Sequence, residues 1–315
     1  MTLVSIPANP VPEDVVAGTL KTADGVELRY ARWAPPPGRK GTVCLFQGRS
    51  EFIEKYFETV RDLRARGFAV ATLDWRGQGG SGRALHNTRK GYVRNFDEYD
   101  FDLETFINEV VLPDCPPPHF ALAHSMGATV LIRAAAKGNR TFDRMVLLAP
   151  MIELPGVRRA RVIRVAVKVM RLVGLGSSYI PGGDASVMMQ RPFVGNLLTS
   201  DPVRYARNVA VIESEPALAV GWPTVAWADS AFRAMREFSA PGYPAKIRQP
   251  MLIVAAGQDR VVSTPAIDDF AIRLRAGSHL IVPGARHELL MEQDRYRGQV
   301  LAAFDAFVPG SPLFR

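Results

Sequence analysis

Apolar and polar positions alternate over residues 18–21 and 26–33 around Asp24-Gly25. That pattern predicts an antiparallel ribbon closed by a two-residue turn. Pro35-Pro36-Pro37-Gly38 ends it. Short apolar runs then recur at 41–46, 68–73, 120–124, 144–149, 251–256 and 278–282. Between them lie stretches with helical spacing. Residues 51–66 carry Phe52, Ile53, Tyr56, Phe57, Val60 and Leu63 on one stripe, and 96–111 carry Tyr99, Leu103, Phe106, Ile107 and Val110. Further helices are expected at 265–276 and 291–307. Strand and helix in alternation indicate an α/β chain with a mostly parallel sheet and helices on both faces. From about 151 to 240 the rhythm changes, with helical stripes, prolines and tryptophans but no clear buried strand. The expected organisation is a core in two parts, 1–150 and 241–315, with 151–240 inserted over the carboxyl ends of the strands, where open α/β sheets bind ligands.

A chain of 315 residues with 47% hydrophobic and 22% charged residues can bury one large core plus such an insertion. Residues 1–12 contain Pro7, Pro10 and Pro12 without lysine, arginine or a sustained apolar block, unlike a secretory signal or transit peptide. No uncharged apolar run approaches the length of a membrane span. A cytoplasmic location is therefore expected. Cys44, inside an apolar run, and Cys115, in a proline-rich turn, make neither a disulfide framework nor a metal-ligand spacing. The net charge of +8 favours either anionic partners, such as nucleic acid, an anionic membrane or a negatively charged substrate, or solubility alone.

The chemistry centres on residues 120–130, where an apolar run breaks at Ser125 and resumes in helix formers. A serine on such a strand-to-helix turn is lifted clear of the sheet, and Gly127 leaves room for the helix behind it. The string is A-x-S-x-G, with Ala123 where glycine is usual. Serine needs a base in hydrogen-bond reach, and the base needs an orienting anion. Of His86, His119, His124, His279 and His287, only His287 sits in a turn directly after the last strand. His124 adjoins the serine on the same strand and is expected to point to the opposite side. Asp259 follows the strand 251–256, whereas Asp268 and Asp269 belong to the next helix. Glu288 is too close in sequence to His287 to bond the same ring. The order serine, aspartate, histidine is that of a nucleophile elbow with its partners. Backbone N–H groups of Met126, at the helix start, and Arg49, after Gly48, are the expected oxyanion donors. Gly77-Gln78-Gly79-Gly80-Ser81-Gly82 satisfies G-x-G-x-x-G, but the polar, irregular stretch 83–94 follows instead of a helix. It is read as a glycine-rich loop across the mouth of a site, not a nucleotide cradle.

The stretches 46–56 (FQGRSEFIEKY) and 74–79 (DWRGQG), the elbow, Asp259 and His287 together resemble the monoacylglycerol lipase and bacterial lysophospholipase branch of the α/β-hydrolases. So do 198–202 and 221–224 in the insertion. Gln47 departs from the histidine that many relatives carry before the glycine. The resemblance implies an α/β-hydrolase with a helical lid over 151–240, and a serine hydrolase cleaving carboxylic esters of single-chain lipids. It implies no metal, no organic cofactor and no nucleic-acid partner. A general carboxylesterase for short soluble esters, a non-catalytic receptor and, more distantly, a nucleotide-binding protein are the alternatives. Within 157–175, Arg158, Arg161, Arg164, Lys168 and Arg171 recur opposite Val162, Ile163, Ala166, Val169, Met170 and Val173. Such a helix is either a solvated face on a lid or a peripheral contact with an anionic inner membrane. Tyr179, Phe193, Trp222, Trp227 and Phe232 either line an acyl pocket or hold the insertion together; the second is the commoner role of such aromatics, and they are left out of the site residues.

Overall fold

The computed structural model describes residues 2–36 and 40–308, together with the backbone but not the side chains of 157–160. Pro37 and Gly38 of the expected breaker and the Arg158 side chain lie outside the described residues. Strands β1 (Val15–Lys21) and β2 (Glu27–Trp33) pair antiparallel, with Lys21 opposite Glu27. Their connection differs from the expected two-residue turn. Thr22 N–H bonds the Val26 carbonyl, Gly25 N–H bonds Thr22, and Gly25 takes φ +86°, giving a three-residue loop with a left-handed glycine.

The chain continues through β3 (Thr42–Phe46), a 3-10 turn Ile53–Tyr56, α1 (Phe57–Ala65) and β4 (Ala69–Leu73). Next come α2 (Glu98–Phe106), a π turn Ile107–Val111, the short α3 (Leu112–Asp114), β5 (His119–His124), α4 (Ser125–Ala136) and β6 (Arg144–Leu148). Then α5 (Val157–Leu172), α6 (Pro202–Ser214) and α7 (Val225–Phe238) precede β7 (Met251–Ala256), α8 (Thr264–Ile272), β8 (Gly277–Val282) and α9 (Asp294–Phe307). The eight strands form one sheet in the order β1-β2-β4-β3-β5-β6-β7-β8, parallel from β4 to β8. Every residue of β3, β4, β5 and β7 is buried, as sheets covered on both faces require, and this is why these strands read as unbroken apolar runs.

Topology sets the site. From β3 the chain crosses to β4 on one side and then returns to β5 on the other, so the winding reverses between β3 and β5. Ligand crevices open at such switch points, outside the carboxyl ends of the strands. Phe46 and Ala123, the register partners at those ends, bring the loops that follow β3 and β5 to the same level. No helix of the described residues is long and apolar enough to cross a membrane.

Candidate active site

Ser125 opens α4 at φ +49°, a left-handed backbone that costs a non-glycine residue about 1–3 kcal/mol. Packing holds it there. A Cβ on Gly127 would lie 2.5 Å from the Gln47 carbonyl oxygen and 2.8 Å from that of Phe46, so the first turn of α4 rests directly on the end of β3. Thr129 Oγ1 donates to the carbonyls of Ser125 and Met151, fastening the turn from inside. Ala123 is accommodated on β5 as a buried neighbour of Phe46.

The three distant residues expected to meet do meet. His287 Nε2 is 3.1 Å from Ser125 Oγ, and its Nδ1 is 2.8 Å from Asp259 Oδ2. All three side chains are buried. The other Asp259 oxygen accepts from the backbone N–H groups of Val261 (2.8 Å) and Val262 (2.9 Å). Burial pushes the Asp259 carboxyl upward, but the adjoining His287 ring and these N–H donors hold it below the ordinary aspartate value. An ionised Asp259 accepts from Nδ1–H, which leaves Nε2 as acceptor for the serine hydroxyl proton. The hydroxyl can thus be deprotonated as it attacks.

Arg49 and Met126, the expected oxyanion donors, flank Ser125 on the wall of one cavity of about 370 Å³. Gly48 is required beside them, since a Cβ there would stand 2.9 Å from His124 Nδ1 and 3.0 Å from Glu51 Oε2. The glycine-rich loop does not cross the mouth: none of 77–82 lines the cavity. Gly80 N–H instead donates to buried Asp74, which Arg29 also binds, while Gln78 Nε2 donates to the carbonyls of Gly48 and Glu51. The loop braces the β3–α1 connection from behind. Gln47, the departure noted in the sequence, donates to Thr72 Oγ1 at 3.3 Å, and its carbonyl accepts from the Trp75 indole at 3.0 Å.

Several residues escape a sequence reading. His124 does not point away: its Nε2 is 3.2 Å from the His287 carbonyl oxygen, its Nδ1 is 3.2 Å from Glu51 Oε1, and its ring lies 4.8 Å from that of His287. Alternation of sides holds only within a strand, and the left-handed turn at Ser125 ends it. Glu51 also accepts from Gly48 N–H, from Tyr56 OH at 2.7 Å and from Lys55 Nζ at 2.7 Å. Lys55 reaches on to Glu288 at 2.6 Å, tying the loop after β3 to the loop bearing His287. Burial works against the Glu51 charge, yet the Lys55 ammonium and the His124 ring hold it well below the usual carboxylate range. Burial likewise works against the His124 cation, and Glu51 reverses the sign, raising the ring above its ordinary value. The Glu51 to Lys55 spacing of four residues was the available signal. Trp222, Trp227 and Phe232, read as scaffolding, line the cavity, whereas Tyr179 and Phe193 do not.

A buried serine on a strained turn, with histidine and aspartate converging on it at the switch point of a mostly parallel sheet, defines a serine hydrolase of the α/β class. Within that class the chain belongs to the Hydrolase_4 family, serine aminopeptidase S33, which matches residues 37–294. Lysophospholipase L2 of Escherichia coli strain K12 is 31% identical over 297 residues, covering 90% of this chain and 84% of that protein. Rat monoglyceride lipase is 29% identical over 185 residues, covering 58% and 59%. Among solved structures, a soluble variant of Saccharomyces cerevisiae monoglyceride lipase in complex with a substrate analog superposes with a TM-score of 0.72 at 18% identity, covering 95% of this chain and 97% of that one. The resemblance seen in the motifs therefore extends to the fold and the family.

Proposed function

We propose that the protein hydrolyses carboxylic esters of single-chain lipids, lysophospholipids or monoacylglycerols, through an acyl-enzyme on Ser125. Ser125 Oγ attacks the ester carbonyl as its proton passes to His287 Nε2, and Asp259 stabilises the imidazolium. The Arg49 and Met126 amides hold the oxyanion, each worth about 10²–10³ in rate. Collapse expels the glycerol alcohol, which takes the proton from His287. Water then attacks the acyl-serine, giving its proton to the same nitrogen, and the fatty acid leaves with the serine restored.

The observation that carries this reading is the cavity: Ser125 opens into a chamber walled by Leu154, Ile163, Val187, Trp227, Phe232 and Met235 among others, a surface suited to an acyl chain. The names of the relatives agree with it. The segment 151–240 supplies much of this wall and acts as a lid. Helix α5 has both an apolar and a basic side. Val167 is buried and Ile163 and Met170 are half-buried, but Val162, Val165, Val169 and Leu172 are 54–76% exposed beside Arg161 and Lys168. A mixed valine and basic surface of this kind supports peripheral contact with an anionic bilayer, from which substrate is drawn.

Fluorophosphonate treatment followed by peptide mass mapping should label Ser125 alone. With nitrophenyl esters of rising chain length, kcat/KM should climb about fourfold per methylene until the cavity is full, since each buried methylene is worth about 0.8 kcal/mol. Rates greatest at acetate and falling with length would sink the lipid reading.

A further inference from the structure

Arg49, like Arg83 beside the Gly79 and Ala217 carbonyls, differs from the arginines inside the protein that pair with acids. Arg29 binds Glu54 and Asp74, Arg76 binds Asp24 and Asp102, Arg133 binds Asp97 and Glu237, and Arg297 binds Asp62. Arg49 is half-buried on the cavity wall and has no carboxylate within 4.0 Å among the described residues. Its guanidinium lies 5.1 Å from the Trp227 ring. Nη1 donates to Ser50 Oγ at 2.8 Å and Nη2 to the Gly221 carbonyl at 2.7 Å, while Nε–H is shielded from solvent without an acceptor. Of the five N–H groups of a guanidinium, three are thus left over. Burial pushes the group down to about 10, so it is still a cation at neutral pH. A desolvated cation without a counter-ion is costly unless an anion arrives to complete it.

Other features agree on the sign of that anion. One further ring of the cavity wall carries a guanidinium group, Arg191 at 5.3 Å from Trp222, while Arg164, 5.6 Å from Phe232, is paired with Glu153 at 3.3 Å. Of the acids close to Ser125, Asp259 is bonded to His287, and Glu51 and Glu288 share Lys55, with the His124 ring also facing Glu51. Arg49 also has the reach. Three carbons and a nitrogen separate its Cα from the guanidinium carbon. Three carbons and an oxygen separate the ester oxygen of a 1-acyl lysophospholipid from its phosphorus. A residue whose amide faces the ester carbonyl can therefore set its fork against the phosphate, which guanidinium binds in bidentate fashion.

We infer that the Arg49 side chain is the subsite for the phosphodiester of a lysophospholipid headgroup, and so a specificity determinant favouring lysophospholipid over neutral monoacylglycerol. The inference rests on the lipid-ester reading of the same cavity and names which lipid it takes.

The test uses Ser125→Ala protein, so that binding is read without turnover, and two non-hydrolysable ether lipids of equal chain below their micellar concentrations. Titration calorimetry is run with 1-O-dodecyl-glycero-3-phosphocholine and with 1-O-dodecylglycerol. Adding Arg49→Met should weaken the phosphodiester at least tenfold and the neutral ether less than twofold, and Arg49→Lys should recover part of the difference. Equal weakening of both ligands, no weakening of either, or competition by inorganic phosphate at concentrations comparable to the lipid would each overturn the subsite. In the catalytically intact protein, Arg49→Met should lower the ratio of kcat/KM for lauroyl lysophosphatidylcholine over monolaurin at least tenfold, whereas proportional loss on both substrates would mark simple damage to the oxyanion loop. A wild-type protein that cleaves neither ester would defeat the hydrolase reading, and the binding arm would still decide the role of Arg49.

Discussion

Helices α4 and α5 solve opposite problems. Eleven of the twelve residues of α4 are buried, its first turn pressed so closely on β3 that only glycine fits at 127. Of the sixteen residues of α5, Val167 is buried among the described side chains, while Leu172 is 76% exposed and Val162 68% exposed. Large apolar side chains left in water along one helix mark a surface that works by meeting something else. Position is paid for at α4 by packing; at α5 packing is withheld. The site is thus built of a rigid floor and a wall whose outer side is unfinished.

The sharpest break in that comparison is Ser125→Ala. It should lower kcat about 10⁶-fold on a monoacylglycerol or lysophospholipid, by analogy with other serine hydrolases, while the melting temperature stays nearly level, since alanine keeps the Cβ and with it the strain of the turn. A parallel loss of stability would mean that the hydroxyl is structural. Next in size, Asp259→Asn should cost about 10⁴-fold in kcat at unchanged KM, because the amide favours the wrong imidazole tautomer.

The floor is tested for stability through Lys55→Met. Removing the ammonium strands Glu51 and Glu288 in the interior, and urea unfolding should report a loss of about 3–5 kcal/mol. The pH dependence has a definite sign. Glu51 and Asp259 are held below their ordinary values, so their stabilisation is complete above the unfolded-chain value of about 4 and disappears as pH falls through the lower folded values. Glu51→Gln should therefore flatten the acid limb of the melting temperature against pH. An unchanged limb would remove Glu51 from the set of stabilising anions.

The smallest effect on stability is expected at α5. Val165→Glu with Leu172→Glu should shift unfolding by no more than about 0.5 kcal/mol per site, since neither side chain is packed. Co-sedimentation with phosphatidylglycerol vesicles should nevertheless be lost, and the wild-type interaction should weaken with salt. Undiminished sedimentation of the double variant would assign α5 to the solvated face of a lid.

Much of this was legible in the chain. Strands buried on both faces write themselves as apolar runs, and Ser125 and Asp259 follow from where two of those runs end, while His287 follows the mostly exposed edge strand β8. Three things were not legible. Periodicity shows that α5 has an apolar side but not whether anything covers it. The burial of Lys55 depends on two acids from different loops, one of them more than two hundred residues away in the sequence, so locally it reads as a solvated helix charge. The direction of His124 turns on a backbone reversal at the very next residue, which strand alternation ignores. Gln78 taught the same lesson in another form. Its loop matched a nucleotide motif by spelling, while its amide serves only to hold the neighbouring connection.

One pair of bonds has mechanical consequences. The Gly221 carbonyl accepts a hydrogen bond from Arg49 and the Leu198 carbonyl one from the Glu288 N–H, so the insertion is stitched to the connection after β3 and to the one next to His287. Swinging the whole insertion aside to admit a molecule would tug on both connections together. A widely opened form would accordingly be idle as well as accessible.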